Sequence, residues 1–187
     1  NNRIFMFDGS YDMPLSEYVG QISLMGVDYL YTGANPQIRN FSSVGLRSLA
    51  ETLSFIIALD WYSKNRVETK RYYKISGRYK LNDNFVLNRE DFKESFVFLP
   101  TVNSWMPKEK QEIAGVDRIF ELRLWHMDAS LFDIFQSKLP IIFNDCVQYD
   151  IDVEHSYYKH LNKFKWTQVQ PIGLEGVIAP TGAIINE

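Results

Sequence analysis

Cysteine is nearly missing from this chain: Cys146 is the one thiol in 187 residues. A lone cysteine excludes an intrachain disulfide framework, takes most simply a buried apolar position, and agrees with a reducing setting: the cytoplasm, or the host cytoplasm for a viral protein. Long hydrophobic runs are missing too. No stretch approaches the roughly 18 consecutive apolar residues of a membrane span, and the opening NNRIFMF has no signal-peptide layout. Positive charge is not in excess either. Lys and Arg number 20 against 23 Asp and Glu, for a net charge of −3 and a pI near 5.7. That balance excludes the diffuse basic footprint of a nucleic-acid binder and makes any anion site local. Repeats, low-complexity tracts and linker-like stretches are absent, and the chain starts at Asn1 without a methionine, which leaves room for an element ahead of it.

What is present is apolar and aromatic. At 45% hydrophobic and 15% aromatic residues, the composition suits one well-packed domain over residues 1–187 and is thin for two. Apolar segments alternate between helical and extended periods, an α/β pattern. IFMF (4–7) reads as a strand running into the turn residues of DGSYD, PLSEYVGQISLMG as a short helix stopped by Gly26, and VDYLYTG as a second strand. SSVGLRSLAETLSFIIALDWYSKN follows with Leu46, Leu49, Ala50, Leu53, Ile56 and Ile57 at helical spacing, and Ser42 or Ser43 as N-cap. Later, RIFELRLW (118–125) reads as a strand, and DASLFDIFQSKL and DVEHSYYKHLNKF as helices. The tail reads as a hairpin around Pro180–Gly182.

The most informative stretch is RYYKISGRYKLND (71–83). As a strand over 71–80 it places Lys74, Ser76, Arg78 and Lys80 on one face and Tyr73, Ile75, Gly77 and Tyr79 on the other. The preceding apolar helix puts this strand inside a mainly parallel sheet with a right-handed crossover. In open α/β sheets ligands gather at the carboxyl ends of strands. Three polar clusters fall there: Asp8, Gly9 and Ser10; Ser42 to Arg47; and Ser76, Gly77 and Arg78. A helix N-terminus with Arg47, beside Lys74 and Arg78, has the donors to hold a phosphate. The competing reading pairs Arg47 with Glu51 at i,i+4 on a solvated face, and makes Lys74 and Arg78 a wet edge strand.

KISGRYKLN (74–82) resembles the KxTGRY-type segment of small bacterial and viral glycosyltransferase-like proteins. FDGSYD (7–12), DASLFDIF (128–135) and DVEHSYYKHL (152–161) are similar, in the same order, to that family's early strand-turn, its Asp-containing helix start and its late acidic helix. The resemblance implies a GT-A-like, Rossmann-like nucleotide-sugar fold, its first strand lying before Asn1. It further implies transfer of a sugar from a nucleotide-sugar donor to a glycan or other acceptor. Asp8, Gly9, Ser10, Arg47, Lys74, Ser76, Gly77 and Arg78 are then the donor-binding candidates.

One departure bears on the metal. Metal-dependent GT-A enzymes place Asp-x-Asp after the strand that follows the long helix, where Mn²⁺ or Mg²⁺ meets the diphosphate; here that place holds Ser76, Gly77 and Arg78. A guanidinium can neutralise the leaving diphosphate, so no metal ligand is assigned, while Mn²⁺ or Mg²⁺ stays open as a cofactor. Asp150-Ile-Asp152 reads as helix capping and His126 with Asp128 as a weak i,i+2 pair. Inverting transfer needs a carboxylate base, for which Glu154 and Asp128 are the candidates; each also fits a first-turn or capping role. Trp105, Trp125, Tyr11 and Tyr79 could stack on a base or sugar, or simply be core. Beside the transferase stand a non-catalytic nucleotide- or carbohydrate-binding domain, needing neither Glu154 nor Asp128, and an assembly protein built on an enzyme fold.

Overall fold

The computed structural model describes residues 3–10, 12, 14–65, 68–86, 92–178 and 182–187. Its first unit follows the sequence pattern. Strand β1 (Ile4–Asp8), helix α1 (Ser16–Leu24) and strand β2 (Val27–Tyr31) form a βαβ unit, with β1 and β2 parallel from Ile4 opposite Val27 to Asp8 opposite Tyr31. Gly26 ends α1 with φ 74°, a left-handed conformation that glycine adopts without a Cβ penalty. Tyr11 lies outside the described residues.

The long helix expected from Ser42 or Ser43 is instead two helices. Helix α2 (Pro36–Ser43) begins earlier because Asn35 caps it, its side chain accepting from the Gln37 N–H at 2.9 Å and the Ile38 N–H at 3.3 Å, with Pro36 in the first turn. Gly45, at φ 82°, then breaks the run, and helix α3 (Arg47–Lys64) starts after Leu46 without a side-chain cap. Arg47 is thus the first residue of α3, and Ser43 closes α2.

The stretch 71–80 is not one strand, and it is not inside a parallel sheet. Strand β3 (Arg71–Ile75) ends before a turn at Gly77 and Arg78, and strand β4 (Tyr79–Leu81) leaves for another sheet. Alternation with period two continued across the turn, so it did not reveal the break. The other strands are β5 (Phe96–Phe98), β6 (Val102–Asn103), β7 (Arg118–Ile119), β8 (Leu124–Asp128), β9 (Trp166–Gln168), β10 (Leu174–Ile178) and β11 (Ala183–Asn186). β3 is an edge of the four-stranded sheet β3-β8-β5-β9, antiparallel to β8. Among the described residues, parallel pairing is confined to β1 with β2 and β5 with β9. The architecture is mixed α/β with small sheets, not the mainly parallel sheet expected. The strand, helix, strand order of β2, α3 and β3 misled because β2 and β3 belong to different sheets.

The 118–125 segment divides into β7, paired with β6, and β8. The closing hairpin forms from β10 and β11, with β4 as the third strand of that sheet; Pro180 of its expected turn lies outside the described residues. Helix α4 (Lys108–Ala114) precedes β7. Helices α5 (Phe132–Tyr149) and α6 (Val153–Leu161) confirm the two later helical patterns, α5 continuing past Leu139 to Tyr149, nearly three turns further.

The two faces of the four-stranded sheet are packed differently. Tyr72 packs tilted against Phe132 of α5, at 4.8 Å between centroids, and Trp125 packs edge-on to Phe135 at 5.0 Å. Tyr73 and His126 turn the other way, to Phe85 and Phe92. Lys74 lies opposite Trp125 in the β3–β8 register and shares its face with Tyr72, so its ammonium emerges on the helical side, beneath α3.

Candidate functional site

The polar residues on that side converge at the carboxyl end of β3. The Lys74 ammonium donates to the Ser76 hydroxyl at 2.8 Å, the Leu122 carbonyl at 3.0 Å and Glu51 Oε1 of α3 at 3.1 Å. Three N–H groups thereby meet three acceptors. Ser48, three residues before Glu51 and so its neighbour on α3, donates at 3.1 Å to Asp152, the N-cap residue of α6. Glu154 stands two residues further along, in the first turn of α6.

Glu154 carries the most unusual acidity of the group. Burial, above all, pushes its carboxyl up to about 7; the negative charges of Glu51 and Asp152 add to the rise, and a backbone hydrogen bond and the Lys74 charge oppose it. A carboxyl poised near neutrality can take and return a proton at working pH. Asp128 is the opposite case. Burial raises it, yet hydrogen bonds from the Ser130 N–H and hydroxyl, with the Glu94 backbone and the Arg71 charge, outweigh this and hold it below the ordinary value. Its Oδ1 accepts from Ser130 N at 3.0 Å and Ser130 Oγ at 2.7 Å, which is the geometry of a helix cap. Asp128 also sits opposite Arg71, three residues from Lys74, or roughly 10 Å along the strand.

Asp8 organises a second cluster at the carboxyl ends of β1 and β2. Its side chain accepts from the Ser10 N–H at 2.8 Å, from the Ser10 hydroxyl, and from the Tyr29 hydroxyl at 2.9 Å. Its backbone carbonyl accepts from the Thr32 N–H at 2.8 Å and the Gly33 N–H at 3.1 Å. Helix α3 joins this cluster to the first: a Cβ on Gly9 would lie 2.8 Å from the Ser54 hydroxyl, one turn beyond Glu51. Gly33 is packed more tightly still, since a Cβ there would lie 2.1 Å from the Ser10 carbonyl oxygen. Gly33→Ala is therefore expected to push the Asp8 loop off the β2 end and cost about 1–3 kcal/mol, read as a lowered urea midpoint at unchanged m-value.

Lys74 and Ser76 are thus bonded to each other, Glu154 feels the charges of Lys74 and Glu51, and Gly9 of the Asp8 loop packs against the same helix. Gly77 and Arg78 occupy the exposed turn directly after Ser76, and Arg47 the exposed start of α3. Asp128 stands apart. Glu51 and Ser48 were missed: their i,i+3 spacing was visible, but Glu51 was paired with Arg47 in the sequence, whereas its ion pair is with Lys74 across to β3. Thr32 and Gly33 carried no signal beyond a strand end.

The metal and stacking candidates resolve structurally. Asp150, at φ 51°, ends α5 and pairs with Lys110 at 2.8 Å, while Asp152 opens α6. His126 is buried between Tyr73 and Phe92, and burial drives its pKa down to about 3. Among the described residues no group of three or more His, Cys, Asp and Glu side chains is placed to hold a metal ion. Trp125 is core, Tyr79 packs on a smaller apolar cluster with Leu99 and Leu174, and Trp105 is 60% exposed against the edge of His155. No described helix is long and apolar enough to cross a membrane. Comparison with protein-family models, curated proteins and solved structures gives no match.

Proposed function

We propose that the chain is a glycosyltransferase, moving a sugar from a nucleotide-sugar donor to a hydroxyl of a glycan or other acceptor. The observation that carries the reading is Glu154, a carboxyl that burial raises to about 7, lying within the field of Lys74, which is bonded to Ser76 at the end of β3. In the step proposed, the acceptor oxygen bonds to the anomeric carbon, the carbon–oxygen bond to the diphosphate breaks, and the diphosphate leaves with that electron pair. The acceptor proton passes to Glu154. Lys74, with Arg78 and Arg47 from the exposed turn and helix start, meets the growing negative charge. A divalent ion, Mn²⁺ or Mg²⁺, would share that neutralisation if it arrived with the donor.

The test is a thermal-shift panel of nucleotides and nucleotide sugars with and without Mn²⁺, followed by donor consumption in the presence of candidate acceptors. A donor that neither shifts the melting temperature nor is consumed would end the proposal. A second reading, a non-catalytic nucleotide- or carbohydrate-binding domain that needs no base, draws on the engagement of Asp128 as a cap by Ser130; it expects the shift without the consumption.

Arg78→Ala is expected to weaken nucleotide-diphosphate binding while leaving the fold alone. A lost charge-assisted contact is worth about 1.5–3 kcal/mol, roughly 10- to 150-fold in affinity. An exposed turn arginine moves stability by only about 0.5 kcal/mol. Calorimetric titration beside urea unfolding separates the two effects, and unchanged affinity in the folded variant would remove Arg78 from the site.

A further inference from the structure

We infer that Glu51 is an internal placeholder for a ligand's phosphate: its carboxylate holds the anion position on Lys74 in the free protein and yields it to a diphosphate. The inference rests on the nucleotide-sugar reading above and adds to it which group must move for the donor to bind.

The three partners of the Lys74 ammonium are not equivalent. The Leu122 carbonyl belongs to the backbone of a buried residue, and Ser76 lies two residues along from Lys74 itself. Both are held in place. Glu51 is different, with a side chain 53% exposed at the end of a flexible stem, against 13% for Lys74. It is the partner that can swing into solvent at little cost. Carboxylate and phosphate oxygens are the same kind of acceptor for an ammonium, and the phosphate brings more charge. Once Glu51 leaves, its place on Lys74 takes one phosphate oxygen, with Arg47 one helical turn ahead of Glu51 on the same helix and Arg78 two residues past Ser76. A sugar hydroxyl can accept from Lys74 but brings no charge in place of the carboxylate, so the exchange favours a phosphorylated ligand.

Inorganic pyrophosphate is the probe, titrated calorimetrically into the wild-type chain, Glu51→Gln, Glu51→Asp and Lys74→Met, each first checked for folding by urea unfolding. Glu51→Gln removes the competing charge, and Glu51→Asp keeps the charge but shortens the reach so that it leaves Lys74. Both should bind pyrophosphate on the order of fivefold more tightly, the scale of a partly exposed ion pair, and Lys74→Met should bind it more weakly than wild type. If the wild type binds and neither Glu51 variant tightens, or only Glu51→Gln does, the placeholder role falls while the phosphate-binding reading stands. If no form binds pyrophosphate, the reading and the inference fall together.

Discussion

Glu154→Gln is expected to lose about 10²- to 10⁴-fold in turnover while donor affinity hardly moves. Gln keeps the size and hydrogen-bonding capacity of Glu but has no basicity, and Lys74, Arg78 and Arg47 are left to hold the donor. A second readout makes the prediction sharper. Burial raises the Glu154 carboxyl from its ordinary 4.5 to about 7, so between these values the folded chain binds a proton that the unfolded chain has already lost. Stability therefore falls as pH rises from about 4.5 to about 7, and above that the buried charge is a full penalty, about 3 kcal/mol. Gln resembles the protonated acid and escapes it. The variant should be as stable as wild type at pH 4 and more stable at pH 8, just where the wild-type base is ionised and turnover is highest. Urea unfolding across pH, with turnover measured on the same protein, checks both halves. A variant that turns over normally places the base elsewhere, and one that loses stability at pH 8 makes Glu154 a structural group.

Which parts of this arrangement the sequence could reveal depends on how local their causes are. The β1, α1, β2 unit was readable because its stop signals, Gly26 and the Gly9-Ser10 turn, lie beside the elements they end. Helices α5 and α6 were readable from their apolar spacing. The boundary between α2 and α3 was missed because Asn35-Pro36 and Gly45 are three small local signals overruled by a long apolar run. Strand partners are a different matter: β3 meets β8 some fifty residues on, and no residue in either strand states that the pairing is antiparallel. The site divides the same way. Lys74, Ser76 and Glu154 were visible as chemistry, but that Glu51 reaches Lys74, and not Arg47 four residues away, is set by how α3 crosses β3. Glu154's acidity comes from burial, which packing creates and spacing cannot display. Asp128 illustrates the converse, since a carboxylate before Ala-Ser reads equally as a base or a cap until Ser130 is seen bonded to it.

Phe135→Ala is expected to cost about 3–5 kcal/mol of stability, and to move Glu154 as well. Phe135 is fully buried and sits at a junction, with ring centroids 5.7 Å from Phe55 of α3, 5.0 Å from Trp125 of β8, 6.2 Å from Phe96 of β5 and 5.7 Å from Tyr157 of α6. These rings interdigitate across helix and sheet, so they cannot collapse into the space without shifting whole elements, and the cavity cost adds to the lost burial. Phe135→Leu, which leaves a smaller cavity, should cost less, about 1.5 kcal/mol, and separates partial from full loss of the packing. The link to the site runs through Tyr157, one turn beyond Glu154 on α6. With the ring beneath it gone, α6 loses the support that keeps the Glu154 carboxyl away from water. Its pKa should then fall toward the ordinary carboxylate range, and the acid limb of the pH–turnover profile should move to lower pH. Phe135→Leu, which keeps the support, should leave that limb in place. If Phe135→Ala loses stability with the limb unmoved, the burial of Glu154 owes nothing to the aromatic core.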